Sequence, residues 1–227
     1  MDICDFHAHI LPNADHGSSS LSVSLRQLSL ANKCGVSRIV ATPHFYPHRE
    51  NVEEFVKRRN RAYKVLMDGY ADGKVSVRLG AEVLICDNIE SIPMLDSLCL
   101  YGSKVLLLEL PTHDFSKNYC YSVSELMEKG IQVVIAHADR YDKENVNKLI
   151  SRGAKIQLNS DSLSGMFSHR HLFDWLESGH VVAIGSDIHG EDKRAYKSFL
   201  KAKNNINRFL PYIKKESDDI WDNLKTL

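Results

Sequence analysis

Histidines and carboxylates fall at the ends of short apolar runs along this 227-residue chain. The first group reads Asp5-Phe6-His7-Ala8-His9, with Asp15 following. Thr42-Pro43-His44, Gly80-Ala81-Glu82, Leu108-Glu109, Ala136-His137 and Ser186-Asp187-Ile188-His189 repeat the pattern. If the apolar runs are strands of one parallel barrel, all these groups converge on one rim. Crowding so many imidazoles and carboxylates is costly unless cations hold them. The chemistry indicated is a multinuclear metal site, and with it hydrolysis. His7 and His9 are two apart on a strand, so their side chains point the same way. Asp187 and His189 form a second such pair near the other end of the chain. The donors are nitrogen and oxygen without thiolate, which suits manganese, iron, zinc or magnesium rather than a Cys-rich structural zinc site. His7, His9, Asp15, His44, Glu82, Glu109, His137, Asp187 and His189 are too many ligands for one ion and enough for two or three. Hydrolytic clusters space such ions about 3.5–4 Å apart.

The elements that must position these groups alternate between β and α. Strands are predicted at Ile3–Phe6, Arg38–Ala41, Val75–Gly80, Val105–Leu110, Gln132–Ala136, Lys155–Asn159 and Val181–Gly185. Helices are predicted at Ser20–Lys33, Asn51–Met67, Asn88–Leu98, Ser122–Lys129, Glu144–Ser151 and His171–Ser178. In the first helix Leu21, Leu25, Leu28 and Ala31 recur at helical spacing, and Cys34-Gly35 ends it. Lys129-Gly130, Arg152-Gly153 and Ser178-Gly179 each precede a strand, as in α/β units. Beyond Pro211 the chain reads as a surface helix packing Ile213, Ile220, Trp221 and Leu224. Seven β–α repeats with no evident linker predict one closed or nearly closed barrel over residues 1–227. An open doubly wound sheet gathers ligands at a single switch point, whereas here they follow most of the strands. No Gly-x-Gly-x-x-Gly or Walker-type loop supports a nucleotide fold.

A formal net charge of zero removes the electrostatic footprint of a nucleic-acid binder. No apolar run approaches the roughly 20 residues of a membrane span, and the N-terminal residues lack the pattern of a signal peptide. A cytoplasmic protein is expected. Cys4, Cys34, Cys86, Cys99 and Cys120 are odd in number and form no Cys-x-x-Cys pair, so they read as buried thiols in a reducing compartment. Neither Cys99-Leu100-Tyr101-Gly102 nor Cys120-Tyr121-Ser122 opens the Arg-terminated loop of a Cys-based phosphatase.

The motifs together resemble the polymerase and histidinol phosphatase (PHP) family, and within it the metal-dependent tyrosine phosphatases of bacterial capsule loci. The resemblance runs over nearly the whole chain. It rests on Asp5-Phe6-His7-Ala8-His9-Ile10-Leu11-Pro12, Asp15-His16-Gly17, Ala41-Thr42-Pro43-His44, Gly80-Ala81-Glu82-Val83, Leu107-Leu108-Glu109, Ala136-His137-Ala138-Asp139-Arg140-Tyr141, Ile156-Gln157-Leu158-Asn159-Ser160 and Gly185-Ser186-Asp187-Ile188-His189. It implies a distorted TIM-like barrel of seven β/α units and three divalent ions, manganese foremost. It further implies that His7, His9, Glu82 and Asp187 hold the first ion, that Glu82 bridges to a second held by Glu109 and His137, and that Asp15, His44 and His189 hold the third. Arg140 and Arg194 match family arginines that bind phosphate at the mouth. The chain departs from the family at Asp15-His16-Gly17, where Asp-Asp-Gly is usual. It also has His137-Ala138-Asp139-Arg140-Tyr141 in place of His-Pro-Glu-Arg-Tyr.

The implied activity is hydrolysis of protein phosphotyrosine by metal-activated water, with the ions and two arginines stabilising the phosphoryl oxygens. The implied partner is a bacterial tyrosine kinase whose tail controls capsule or exopolysaccharide export; no partner is nucleic acid and none is a membrane interior. Family members often assemble into homo-oligomers through N-terminal helices. Two alternatives remain. A histidinol-phosphatase-like small-molecule enzyme would favour a closed pocket and a longer chain. A non-catalytic docking module would not need a full ligand set. Exonuclease proofreading is weaker, for lack of a basic surface. His16 reads as a surface histidine, and His48, His113, His169, His171 and His180 as outside the site. Lys57-Arg58-Arg59 reads as a solvated helix face, and Ser160-Asp161-Ser162 has no neighbouring base that would make a nucleophile.

Overall fold

Strand β1 (Ile3–Ala8) starts the described chain in the computed structural model, which describes residues 3–165 and 170–227. Helix α1 (Leu21–Lys33), strands β2 (Val36–Ala41) and β3 (His44–Phe45), and helix α2 (Val52–Gly69) follow. Next come β4 (Ser76–Leu79), β5 (Glu82–Leu84), β6 (Val105–Glu109), α3 (Asn118–Glu128), β7 (Gln132–Ile135) and α4 (Lys143–Ile150). The remainder is β8 (Lys155–Asn159), α5 (Ser160–Ser164), α6 (Arg170–Glu177), β9 (Val181–Gly185), α7 (Lys193–Asn205) and α8 (Leu210–Asp222).

All strand pairs are parallel, in the order β3-β5-β6-β7-β8-β9-β1-β2-β4. The two ends of that order are joined by the chain itself. β3 continues β2 after Thr42-Pro43, and β5 continues β4 after Gly80-Ala81. Ala41 faces Leu79 and His44 faces Glu82, so the register carries straight across both interruptions. Counted this way, seven strands, two of them interrupted, form a distorted β/α barrel. Pro43 has no N–H to give to a ladder. At Gly80 a Cβ would lie 2.5 Å from Leu100 Cδ2, so the close approach there requires glycine.

Apolar side chains pack in two layers. An outer cluster lies between the strands and the helices. A smaller inner one joins Phe6, Val40, Leu107, Val134 and Ala183 to Ile220, Trp221 and Leu224 of the C-terminal region. Trp221 lies under Arg38 of β2 and Arg78 of β4, 5.5 and 5.2 Å from its ring. The last helix thus closes the end of the barrel opposite the histidines, where a surface helix is expected from the sequence.

Several expectations are corrected. Residues 88–98 form two short 3-10 turns, Ile89–Ser91 and Leu95–Leu98, and not one helix. Pro93 forces Ile92 into an extended conformation and breaks the run. Strands β3 and β5 extend past residues that read as terminators, and α7 has no counterpart among the helices predicted. Within 57–59 only Lys57 keeps the solvated role, paired with Glu53 at 2.7 Å. Arg58 pairs with Glu50 at 2.5 Å. Arg59 is 1% exposed and donates to the Gly80 and Ser97 carbonyls at 3.2 and 3.1 Å. Burial lowers its pKa to about 10. This arginine is spent on pinning the interruption two residues before Glu82. His169 lies outside the described residues.

Candidate metal centre

The C-terminal ends of the parallel strands bring the predicted carboxylates and imidazoles together, and Glu82 is their hub. Its Oε2 lies 3.1 Å from His7 Nε2, 3.2 Å from His9 Nε2 and 2.9 Å from His44 Nδ1. Its Oε1 lies 2.7 Å from His137 Nε2. Asp187 Oδ1 lies 3.6 Å from His7 Nε2 and 3.3 Å from His9 Nε2. Glu109 Oε2 stands 3.7 Å from His44 Nδ1. Three groups have donor atoms within 4.8 Å of one another: His7, His9, Glu82 and Asp187; His44, Glu82 and Glu109; His9, His44 and His189.

Hydrogen bonds behind these side chains fix which nitrogen faces inward. Gln157 Oε1 accepts the His137 backbone N–H at 2.7 Å and so must also accept from His7 Nδ1, 3.0 Å away. His9 Nδ1 donates to Asp15 Oδ2 at 2.7 Å. His189 Nδ1 donates to the Asp187 carbonyl at 3.0 Å. Each ring therefore turns Nε2, the atom left able to ligate a cation, toward the cluster. Four buried atoms at the site make no well-aligned hydrogen bond among the described residues: His44 Nδ1, Glu82 Oε2, Glu109 Oε2 and His189 Nε2, although His44 Nδ1 and Glu82 Oε2 are only 2.9 Å apart. Buried polar atoms are rarely left so, and a nitrogen–oxygen donor set of this kind fits divalent cations.

The charges agree. Burial is the largest influence on His7 and His9 and disfavours their protonation, yet the facing carboxylates raise both above the ordinary value. Burial also opposes charge on Glu82, Asp15 and Asp187, yet the imidazoles hold all three low. Glu109 is raised by burial and by Glu82. Burial and His9 push His189 down to about 4. Carboxylates that keep imidazoles protonated will equally hold cations in place of those protons.

Asp15 stands behind His9 rather than inside a three-donor group, accepting also the His44 and Gly17 backbone N–H groups at 3.1 and 2.8 Å. His137 meets the cluster through Glu82 and by stacking on the His7 ring at 5.3 Å, with Tyr141 Oη 2.9 Å from its Nδ1. His137 and Asp187, each just past a strand, have φ of 32° and 50°, a left-handed conformation that costs energy in non-glycine residues and concentrates at functional sites. Asp5 ties the first and last strands at the site, accepting the Ser186 N–H at 2.8 Å and its hydroxyl at 2.6 Å. Burial pushes the Asp5 carboxyl up to about 6 despite these bonds.

Arg140 Nη2 lies 2.5 Å from Asp187 Oδ2, at the edge of the cluster. Asp139, which replaces the usual glutamate, accepts the Asn159 N–H at 2.8 Å and the Ser162 hydroxyl at 2.6 Å. These bonds hold the turn that a proline would otherwise stiffen. Arg194 is not brought to the cluster: its side chain is 91% exposed, on the first turn of α7, beside Asp192 at 3.3 Å. No cysteine belongs to the three donor groups, and burial pushes the Cys99 thiol up to about 12, the reverse of an activated thiol. His16, expected at the surface, is exposed but stacks on His44 and His189.

Gln157, Asn159, Tyr141 and Asp5 support the site, and the motifs alone assign them no role. Gln157 could have been found as a polar residue between Ile156 and Leu158 on a core strand. Gly185 keeps room for it: a Cβ there would lie 2.6 Å from His7 Cβ and 2.7 Å from Gln157 Nε2. Gly185→Ala is expected to lower unfolding free energy by about 1–3 kcal/mol, read by urea denaturation. An unchanged midpoint would mean that the strands separate freely there.

A family model described as capsular polysaccharide synthesis, CpsB/CapC, matches residues 3–216. Tyrosine-protein phosphatase CpsB of Streptococcus pneumoniae is 29% identical over 210 residues, 84% of each chain. Tyrosine-protein phosphatase YwqE of Bacillus subtilis is 26% identical over 234 residues, 95% of this chain and 90% of its own. The CapC protein of Staphylococcus aureus is 30% identical over 202 residues, 85% of this chain and 79% of its own. A crystal structure from work on YwqE and CpsB, described there as unique metal-dependent tyrosine phosphatases, superposes with a TM-score of 0.80 at 23% identity, covering 99% of this chain and 96% of that one.

Proposed function

The chain belongs to the capsular polysaccharide synthesis CpsB/CapC family, and from that premise we propose that it is a metal-dependent phosphatase that hydrolyses phosphotyrosine in proteins. The observation that carries the reading is the Glu82 hub, with inward-facing imidazoles and four buried atoms in want of partners. Relatives named as tyrosine-protein phosphatases support the choice of substrate. Three divalent ions, manganese foremost, are assigned to His7, His9, Glu82 and Asp187; to Glu82, Glu109 and His137; and to Asp15, His44 and His189. His44 faces both of the latter positions. Residues 1–227 are taken as one catalytic domain.

Divalent ions in such a site supply Lewis acidity, lowering the pKa of water and offsetting charge on phosphoryl oxygens. The protein's part is to orient and to bind. Gln157 and Asp15 fix the His7 and His9 rings. Asp187 holds Arg140 at the cluster, where its planar fork suits two phosphoryl oxygens. Phenolate departs without a strong general acid, because its conjugate acid has a pKa of about 10. The substrate proposed is the tyrosine-rich tail of a kinase controlling capsule or exopolysaccharide export. No described helix is long and apolar enough to cross a membrane, and the free thiols fit the reducing cytoplasm.

Turnover of a phosphotyrosyl peptide against histidinol phosphate tests the reading: the peptide should be strongly preferred, and preference for histidinol phosphate would overturn it. Arg140→Ala should keep its metal content and lose roughly 2–4 kcal/mol of transition-state stabilisation in kcat/KM, the typical cost of one preorganised donor. Arg194 must turn from Asp192 to reach phosphate. If Arg194→Ala keeps wild-type kinetics while Arg140→Ala does not, phosphate capture rests on Arg140 alone.

A further inference from the structure

His16 lies over the mouth of the barrel as a flat ring. Its centroid is 4.8 Å from His44 with the rings 9° apart, and 4.6 Å from His189 at 26°. His9 is 6.4 Å away at 26°. His44 and His189 are themselves 5.7 Å apart. Neighbours on opposite faces of His16 would lie nearly twice as far from each other as from it, so both sit on the same side. His16 is exposed, and among the described residues no ring besides these three packs against it. His16 is not in the group formed by His9, His44 and His189, whose donor atoms lie within 4.8 Å of one another. Among the described residues no hydrogen bond reaches either of its ring nitrogens. The backbone beneath it is fixed: Gly17 N–H donates to Asp15 Oδ1 at 2.8 Å, and a Cβ on Gly17 would fall 2.1 Å from His9 Cβ.

We infer that the open face of His16 is an aromatic shelf that selects aryl over alkyl phosphomonoesters at this site, an inference that rests on the phosphatase reading above. A phosphoryl group seated on the cluster must leave its ester substituent pointing out of the mouth. In an aryl ester the ring follows directly on the ester oxygen, at the height of His16. An alkyl ester offers no ring face to stack. The aspartate usual at this position in the family would put a carboxylate where a phosphate dianion approaches. Histidine removes that repulsion and supplies a flat partner.

The test uses the full-length, metal-loaded protein and two non-hydrolysable probes, phenylphosphonate and methylphosphonate, titrated by calorimetry. The wild type should prefer phenylphosphonate. His16→Ala and His16→Asp should each lose about two- to tenfold of that preference, the range of one aromatic pair, with metal content unchanged by elemental analysis. His16→Phe, which keeps a ring and discards the nitrogens, should retain it. No preference in the wild type, or the same preference in His16→Ala, would overturn the shelf. Loss of an ion in His16→Ala would overturn it too, by making His16 a ligand. The phosphatase reading fails separately, if the same loaded wild type does not turn over a phosphotyrosyl peptide.

Discussion

Glu82→Gln is expected to lose at least one ion and to lower kcat by on the order of a hundredfold or more. The substitution keeps the side chain's shape and removes its charge. Glu82 is fully buried and stands within 3.2 Å of four imidazoles. An amide there would offer N–H groups to nitrogens that must themselves be acceptors to ligate a cation. Those imidazoles would also lose the carboxylate that favours positive charge beside them. Asp187→Asn should act in the same direction, since Asp187 serves His7, His9 and Arg140 at once. Elemental analysis and steady-state kinetics on the two variants decide the matter. A crystal structure of Glu82→Gln with every ion in place, together with normal turnover, would remove Glu82 from the centre.

Exhaustive chelation should abolish activity altogether, and manganese should restore it best. The donor groups contain imidazoles and carboxylates but no thiol, which favours harder cations over copper or a structural zinc. Because ions bind the folded cluster and not the unfolded chain, chelation should also lower Tm, and more so as the protein is held at higher metal concentration beforehand. Undiminished turnover after chelation, with metal loss confirmed by elemental analysis, would exclude the mechanism.

Most of the barrel was legible because each strand is a short apolar run and each crossover helix has its own periodicity. Seven of the nine proposed ligands, those of the three donor groups, were legible for the same reason: polar groups at the ends of apolar runs are conspicuous. What was hidden depends on tertiary contact. Thr42-Pro43 and Gly80-Ala81 look like stops, and only the shared register of His44 with Glu82 makes them interruptions. Asn88–Leu98 reads as a helix if Pro93 is discounted, but backbone sterics do not discount it. The helix from Lys193 was readable from Ala195, Tyr196, Phe199 and Ala202, all buried on one face. Arg59 looked solvated because its partners are carbonyls, which leave no mark in a sequence. His16 and Asp139 departed from family habit, and their contacts lie in stacking and in a turn that spacing does not encode.

The pairing of β1 with both β2 and β9 has a consequence for synthesis. Asp5 pairs across to Ile184, and Asp187 N–H donates to the His7 carbonyl at 2.8 Å. At roughly 5–20 residues per second, a ribosome delivers β9 on the order of ten seconds or more after β1. Throughout that interval one edge of β1 has no partner, and His7 and His9 have no Asp187. The nascent chain can complete no more than part of the first donor group until the last strand emerges. Capture of an ion by the proposed group of His7, His9, Glu82 and Asp187 would therefore wait for β9, and a polypeptide interrupted before it carries the histidines without Asp187.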